Sequence, residues 1–319
     1  MTHPTRRPTR IAIVGAGMVG ATFGYATVTS GLASEIVLID ANRARAEGEA
    51  MDLNHAVPLH QPCRVWAGEY ADCAGADVTV VTAGSAQKPG ETRLDLTQRN
   101  TDIFKQIIPQ IARHNPEGIL LIASNPVDVL TYAAIKLSGM PPARVIGSGT
   151  ILDSARFRYL LSQAFGVDPR SVHAYIIGEH GDSEVPAWSL ANIAGMRLPA
   201  YCAANLQDCD EGPILDDIVS QTRSAAYDII QRKGATYYGI GSSLLRLVES
   251  ILRDQSTVYS VCSLIHNQYG IDDVCLSLPT IIDRGGVEKV LNLDLSADEI
   301  AGLQRSAGIL KEMIQKLNL

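Results

Sequence analysis

A chain that runs one apolar segment, residues 11–14, straight into Gly15-Ala16-Gly17-Met18-Val19-Gly20 has few folds open to it. Gly15 permits a tight turn out of a strand, Gly17 lets a pyrophosphate come up against bare backbone, and Gly20 lets the helix pack closely on the strand. Phosphates then sit at a helix N-terminus, where unpaired N–H groups and the helix dipole favour negative charge. Glycine-rich turns also occur as simple packing, so a second signal is needed. It comes from Asp40, which ends the second apolar run 20 residues past Gly20, where a carboxylate can bind the ribose hydroxyls of an adenosine. The same charge repels a 2′-phosphate. Together the two signals predict NAD rather than NADP.

Further β-branched, apolar runs follow at 35–39, 77–82, 118–123 and 144–146. Strands apolar on both faces and separated by helix-length gaps predict a parallel sheet covered on both sides. Residues 94–114 read as a helix stopped by Asn115-Pro116. Beyond about residue 148 the rhythm changes. The expectation there is a helix at 154–165 ending at Gly166, a strand at 172–177, a weakly marked polar stretch at 199–213 and a long helix at 216–233. Runs at 274–283 and 287–293 flank Arg284-Gly285-Gly286 as an antiparallel hairpin. A capping box from Ser296 to Glu299 opens a last helix, with Ile300, Leu303, Ala307, Leu310, Ile314 and Leu317 as its apolar face. The predicted fold class is α/β: a Rossmann-type, doubly wound parallel sheet over residues 1–147, followed by an α+β domain over 148–319.

Hydrophobic residues make up 46% of the 319, enough to bury a sizeable core. Lys and Arg number 27 against 34 Asp and Glu, and the net charge of −7 argues against nucleic acid or an anionic membrane as partner. No apolar run approaches the roughly 18 residues of a membrane helix. The basic start, MTHPTRRPTR, leads into IAIVG with no signal-type apolar stretch. Six cysteines form no CxxC pair and have no histidine cluster beside them, so the expectation is reduced thiols in a cytoplasmic protein and no metal site.

Chemistry concentrates in three places. The polar loop Gln87-Lys88-Pro89-Gly90-Glu91-Thr92-Arg93 follows the third run, at the carboxyl end where open α/β sheets bind ligands. Such a loop can close over a substrate and exclude water, or be ordinary surface. Asp153 and Arg156 lie one helical turn apart and share a face, which also describes a surface ion pair. His180 sits in Gly178-Glu179-His180-Gly181-Asp182, just after an apolar run. A histidine that shuttles a proton needs a carboxylate to orient it and support its cation, and Asp153 is the candidate. Arg156 offers a two-pronged donor suited to a substrate carboxylate. Spacing alone does not bring these residues together in space.

From Arg10 to about Lys316 the chain resembles the L-lactate dehydrogenases of the bacterial, tetrameric type, within the lactate/malate dehydrogenase family. The likeness rests on GAGMVG with Asp40, AGSAQKPGETRLDL at 83–96, SNPVDVLTY at 124–132, VIGSGTILDSARFRYLL at 145–161, HAYIIGEHGDSEVPAWS at 173–189 and KGATYYGIG at 233–241. It implies that His180 is the proton donor and acceptor, oriented by Asp153, and that Arg156 grips the substrate carboxylate. Arg93 would polarise the reacting carbonyl, with Asn125, Asp128 and Thr236 completing the substrate pocket. Met18, Val19, Asp40, Arg45, Tyr70, Ser124 and Asn125 would line the dinucleotide groove beside the backbone of Gly84 and Ser85. Ile240 would pack on the nicotinamide and Ser148 bond its carboxamide. The implied reaction is pyruvate plus NADH to L-lactate plus NAD, carried out by a homotetramer. Gln87 stands where members that reduce oxaloacetate hold an arginine. An unpaired second carboxylate in a closed site costs roughly several kcal/mol, so lactate is favoured over malate.

Arg158 and His173 fall where regulated bacterial members bind fructose 1,6-bisphosphate between subunits. Members that ignore this effector carry the same pair, so activation and indifference both stand open. The segment before Ile11 is short, which leaves a dimer–tetramer equilibrium as a further alternative. A malate dehydrogenase that has lost its arginine and a non-catalytic NAD-binding scaffold are the competing functions. The scaffold predicts damage to the catalytic set, yet Arg93, Asp153, Arg156 and His180 are all present.

Overall fold

The computed structural model describes residues 7–85, 92–205 and 211–319, with the side chains of Arg93, Glu211 and Pro213 left aside. The first half alternates strands and helices: β1 (Arg10–Val14), α1 (Met18–Ser30), β2 (Glu35–Ile39), α2 (Arg43–Ala56), β3 (Arg64–Ala67), β4 (Val78–Val81), α3 (Arg93–His114), β5 (Ile119–Ile122), α4 (Val127–Ser138) and β6 (Val145–Gly147). After α5 (Ile151–Phe165) come the short strands β7 (Val172–His173), β8 (Ile176–Ile177), β9 (Val185–Pro186), β10 (Asn192–Ile193) and β11 (Met196–Arg197). The chain then forms α6 (Leu198–Asn205), α7 (Glu211–Lys233), α8 (Tyr238–Arg253), β12 (Thr257–Ile265), β13 (Val274–Asp283), β14 (Gly286–Val290) and α9 (Ala297–Gln315).

One nine-stranded sheet, in the order β14-β13-β12-β6-β5-β4-β1-β2-β3, runs through the molecule. Strands β1 to β6 pair in parallel, as their unbroken apolar character predicts. Alternate residues of each strand feed opposite cores. Ile11, Ile13, Ile36 and Leu38 pack with Phe23 of α1 and Leu244, Leu247 and Val248 of α8. Ala12, Val14, Val37 and Ile39 face the other way, toward Phe104, Ile108 and Ile111 of α3. With helices on both faces, all the parallel strands turn their carboxyl ends to one edge, and the loops there build the site.

The structure departs from the sequence reading in places and adds to it in others. The edge strand β3 has no counterpart in the sequence reading, because only Val65 of its four residues is buried. The run expected as one strand at 172–177 is broken into β7 and β8, which pair with different partners. Strands β12 to β14 of the second half extend the first half's sheet in antiparallel sense, through Cys262 opposite Gly147. The expected hairpin is present, with Asp283 paired to Gly286 across Arg284-Gly285. The capping box at Ser296 also forms, its hydroxyl accepting from the Glu299 N–H while the Glu299 carboxylate accepts from the Ser296 N–H. Cys63, Cys73, Cys262 and Cys275 are free, but Cys202 is disulfide-bonded, so reduced thiols do not hold throughout. No helix among the described residues is long and apolar enough to cross a membrane.

Candidate active site

The glycine turn between β1 and α1 is built as a cradle. Gly15 has φ +107°, and a Cβ there would lie 2.5 Å from the backbone N of Ala83. A Cβ on Gly20 would lie 2.0 Å from the carbonyl oxygen of Gly15, so the helix can start where it does only with hydrogen at that position. A Cβ on Gly17 would meet nothing within 4 Å, which leaves an open face of backbone above the turn. The Gly15 N–H donates to the Ile39 carbonyl at 2.7 Å and thereby ties the turn to the end of β2. Asp40, the next residue, accepts from the Ala16 N–H at 2.7 Å and the Asn42 N–H at 2.8 Å. Its carboxylate is therefore fixed beside the cradle. These features fit a dinucleotide: bare backbone at a helix N-terminus for the pyrophosphate, and an oriented acid for the ribose.

The remaining residues expected to line the groove differ in exposure. Val19 and Ile240 are partly buried against the first core, and Tyr70 against the second. Met18 and Arg45 are exposed. Asn100 of α3 gathers this edge from below: its Oδ1 accepts from the Ser85 N–H at 2.8 Å and its Nδ2 donates to the Asn125 carbonyl at 2.7 Å. Gly84 lies against the same amide. Asn100 carries no sequence signal that would single it out. Ser124 is buried and donates to the Ala83 carbonyl at 2.6 Å, and the Ser148 N–H donates to the Ile122 carbonyl at 2.8 Å.

The histidine and its partners do meet. His180, on the loop after β8, directs Nδ1 to Asp153 Oδ2 of α5 at 2.5 Å. Arg156 Nη1 donates to the other oxygen, Asp153 Oδ1, at 2.7 Å. Asp153 is 2% exposed, so its charge is little screened by water. Burial works against that charge, yet His180 and Arg156 hold the carboxyl below its usual range. For His180, burial pulls the pKa down, but the charge and hydrogen bond of Asp153 outweigh it and lift the value to about 9. With Nδ1 committed to Asp153, Nε2 is the ring nitrogen left for other work. Asp128, expected among the substrate contacts, is 1% exposed and accepts from the His180 backbone N–H at 2.8 Å. It anchors the loop from behind. Burial raises its carboxyl to about 6.

A cavity of about 420 Å³ opens in front of this group, lined by Asp153, Arg156 and His180 together with Leu96, Thr97, Asn125 and Pro126. Its far wall comes from Glu184 and from Thr222, Arg223 and Tyr227 of α7, none of which the sequence reading named. Thr236 sits half-exposed in the turn between α7 and α8, outside the residues that line the cavity. Arg93 opens α3 behind a capping box formed by Thr92 and Asp95, but its side chain is not among those described. Gln87 lies outside the described residues. Away from the cavity, Arg158 donates to the Ala174 carbonyl at 2.8 Å and lies over the Tyr175 ring, while His173 is exposed next to Ala174.

The family comparisons agree on both halves of the chain. Residues 9–147 match the model of the lactate/malate dehydrogenase NAD binding domain, and residues 150–318 that of the alpha/beta C-terminal domain of the same family. An L-lactate dehydrogenase of Acetivibrio thermocellus is 52% identical over 310 residues, covering 97% of this chain and 98% of that protein. An L-lactate dehydrogenase 2 of Bacillus cereus is 53% identical over 304 residues, 95% of this chain and 96% of the relative. The minor L-lactate dehydrogenase of Enterococcus mundtii, solved in a ligands-bound form, superposes with a TM-score of 0.94 at 41% identity, over 98% of this chain and all of that one. With both family domains matched in order and the histidine–aspartate–arginine cluster assembled at the sheet's edge, the chain belongs to the lactate/malate dehydrogenase family.

Proposed function

We propose that the protein is an NAD-dependent L-lactate dehydrogenase that interconverts pyruvate and L-lactate, with His180 as its acid–base group. The observation that carries this reading is the 2.5 Å contact between His180 Nδ1 and buried Asp153, which leaves Nε2 beside a 420 Å³ cavity that also presents Arg156. Reduced NAD, when bound in the cradle of Gly15, Gly17, Gly20 and Asp40, supplies the hydride for the carbonyl carbon. Arg156 holds the substrate carboxylate with the donors that Asp153 does not take. His180 gives its Nε2 proton to the carbonyl oxygen in the reducing direction and takes it back in the oxidising one. The pKa of about 9 keeps the ring charged and ready to donate at neutral pH. Asp153 supports that cation and fixes the ring's orientation, and Arg93 stabilises negative charge on the oxygen.

Gln87 sets the substrate in this reading, because a neutral amide cannot balance the second carboxylate of oxaloacetate. In this reading the enzyme acts in the cytoplasm as a homotetramer, as its resemblance to the bacterial, tetrameric type implies. Arg158 and His173 hold fructose 1,6-bisphosphate at a subunit contact in this reading, as the resemblance implies. One assay tests these points: NADH oxidation with pyruvate and then oxaloacetate, each with and without the bisphosphate, for the wild type and Gln87→Arg. The expected result is fast pyruvate turnover that rises with the bisphosphate, and a preference that moves toward oxaloacetate in the variant. Oxaloacetate preferred by the wild type would overturn the lactate assignment, and indifference to the bisphosphate would remove the allosteric site alone.

A further inference from the structure

Glu184 is a buried acid in the wall of the active-site cavity to which the proposed mechanism gives no role. It stands just before β9, is 4% exposed, lines the cavity, and its Oε1 has no hydrogen-bond partner among the described residues. Neither nearby guanidinium makes a hydrogen bond to that carboxyl among the described residues. Arg223 Nη2 donates to Glu184's own backbone carbonyl at 3.0 Å, and Arg156 Nη1 to Asp153. A carboxylate left in that position would be a buried, unpaired charge, which a protein avoids by keeping the proton on.

The charge count of the cavity gives this proton a function. The titratable and charged groups that face it are Asp153 and Arg156 from α5, His180 and Asp182 from the loop after β8, and Arg223 and Tyr227 from α7. The α3 side lines the cavity with Leu96 and Thr97, and Arg93 opens that helix; on the α9 side Val185 and the Arg305 guanidinium both lie against Gly302. Among the described residues, protonated His180, Arg156 and Arg223 face Asp153 and Asp182, and Arg93 adds a further cation in the proposed reading, so the cavity is net positive toward an anionic substrate. An ionised Glu184 would lower that positive charge beside Arg156.

We propose that Glu184 is a specificity-determining residue, held as the neutral acid while the enzyme works, and that losing its proton weakens the hold on an anionic 2-keto acid. The inference rests on the proposed reading of the site. Burial, with the charge of Asp153 adding to it, lifts the Glu184 carboxyl to about 8, so the change falls just above neutral pH. KM for pyruvate in the wild type therefore rises about twentyfold between about pH 7 and 9, about tenfold of it from Glu184, while kcat changes much less. In Glu184→Gln, which keeps the shape and cannot ionise, the rise shrinks to the roughly twofold change that titration of His180 alone produces.

A second readout needs no turnover. The infrared difference spectrum of the intact wild type between about pH 7 and 9.5 should lose one carboxylic-acid carbonyl band, because Asp128 is already ionised there. Glu184→Gln should lack that loss. A wild-type spectrum without a titrating acid in this range overturns the proposal even if the variant fails to fold, and so do superimposable KM profiles for the two proteins. Absence of pyruvate turnover would instead strike the proposed function, and the infrared result would still decide whether Glu184 holds its proton.

Discussion

At the scale of single residues, the geometry assigns each polar group around His180 a separate task. Asp153 sets its charge, Asp128 its backbone, and Arg156 takes the far side of the same carboxylate. The pH behaviour follows with a definite sign. A histidine raised from 6.5 to about 9 stays protonated through neutral pH, so in Glu184→Gln, where the earlier fall through about 8 is removed, kcat/KM for pyruvate reduction holds level there and falls as pH rises through about 9. Adding Asp153→Asn removes the supporting charge and moves that fall down by about 1–3 pH units, with a loss of about 10²–10⁴ in rate. A pH–rate series on both proteins checks it, and an unshifted limb would mean that Asp153 does not set the histidine. Little of this was legible in the chain itself. Asp153 and His180 are distant in sequence, and only the fold shows that α5 and the loop after β8 share one edge. Residue chemistry offered Asp153 as a candidate partner and resemblance made it the expectation; the spacing alone did neither.

Among the elements, the β1–α1 turn separates a residue needed for folding from one needed for binding. Gly20→Ala would drive a methyl into the Gly15 carbonyl and Thr82, a clash with backbone that costs about 1–3 kcal/mol or more. Gly17→Ala meets no protein atom within 4 Å, so the variant should unfold at the wild-type urea midpoint yet bind NADH at least about tenfold more weakly, its methyl standing where phosphate must approach. Urea unfolding and NADH fluorescence titration separate the two, and a Gly17→Ala protein with normal NADH affinity would contradict the cradle. The turn and the strands β1, β2, β4 and β5 were legible because buried parallel strands are unbroken apolar runs. Strand β12 was not. Its Ser260 and Ser263 are buried, and Ser260 spends its hydroxyl on the Ile176 carbonyl at 2.7 Å, so a core strand reads as polar. The edge strand β3 hides for the opposite reason, since most of its surface stays outside the core.

Across the whole molecule, the sheet is what makes one site from two halves. The first half places the cradle, Asp40 and Asn100; the second adds Asp153, Arg156 and His180 while its strands β12 to β14 continue the same sheet. Helix α8, from the second half, packs on the β1–α1 face through Leu244, Leu247 and Val248. The cofactor edge and the acid–base group are thus held by a shared core, which suits a reaction that needs a hydride and a proton delivered to neighbouring atoms. In the proposed reaction everything turns on His180 as the proton carrier. Its most direct test is NADH oxidation with pyruvate by the wild type and His180→Asn, with NADH affinity measured on both. The account predicts rapid wild-type turnover that falls by at least about 10²–10⁴ in the variant, with NADH binding nearly intact. Near-normal turnover by His180→Asn would contradict it.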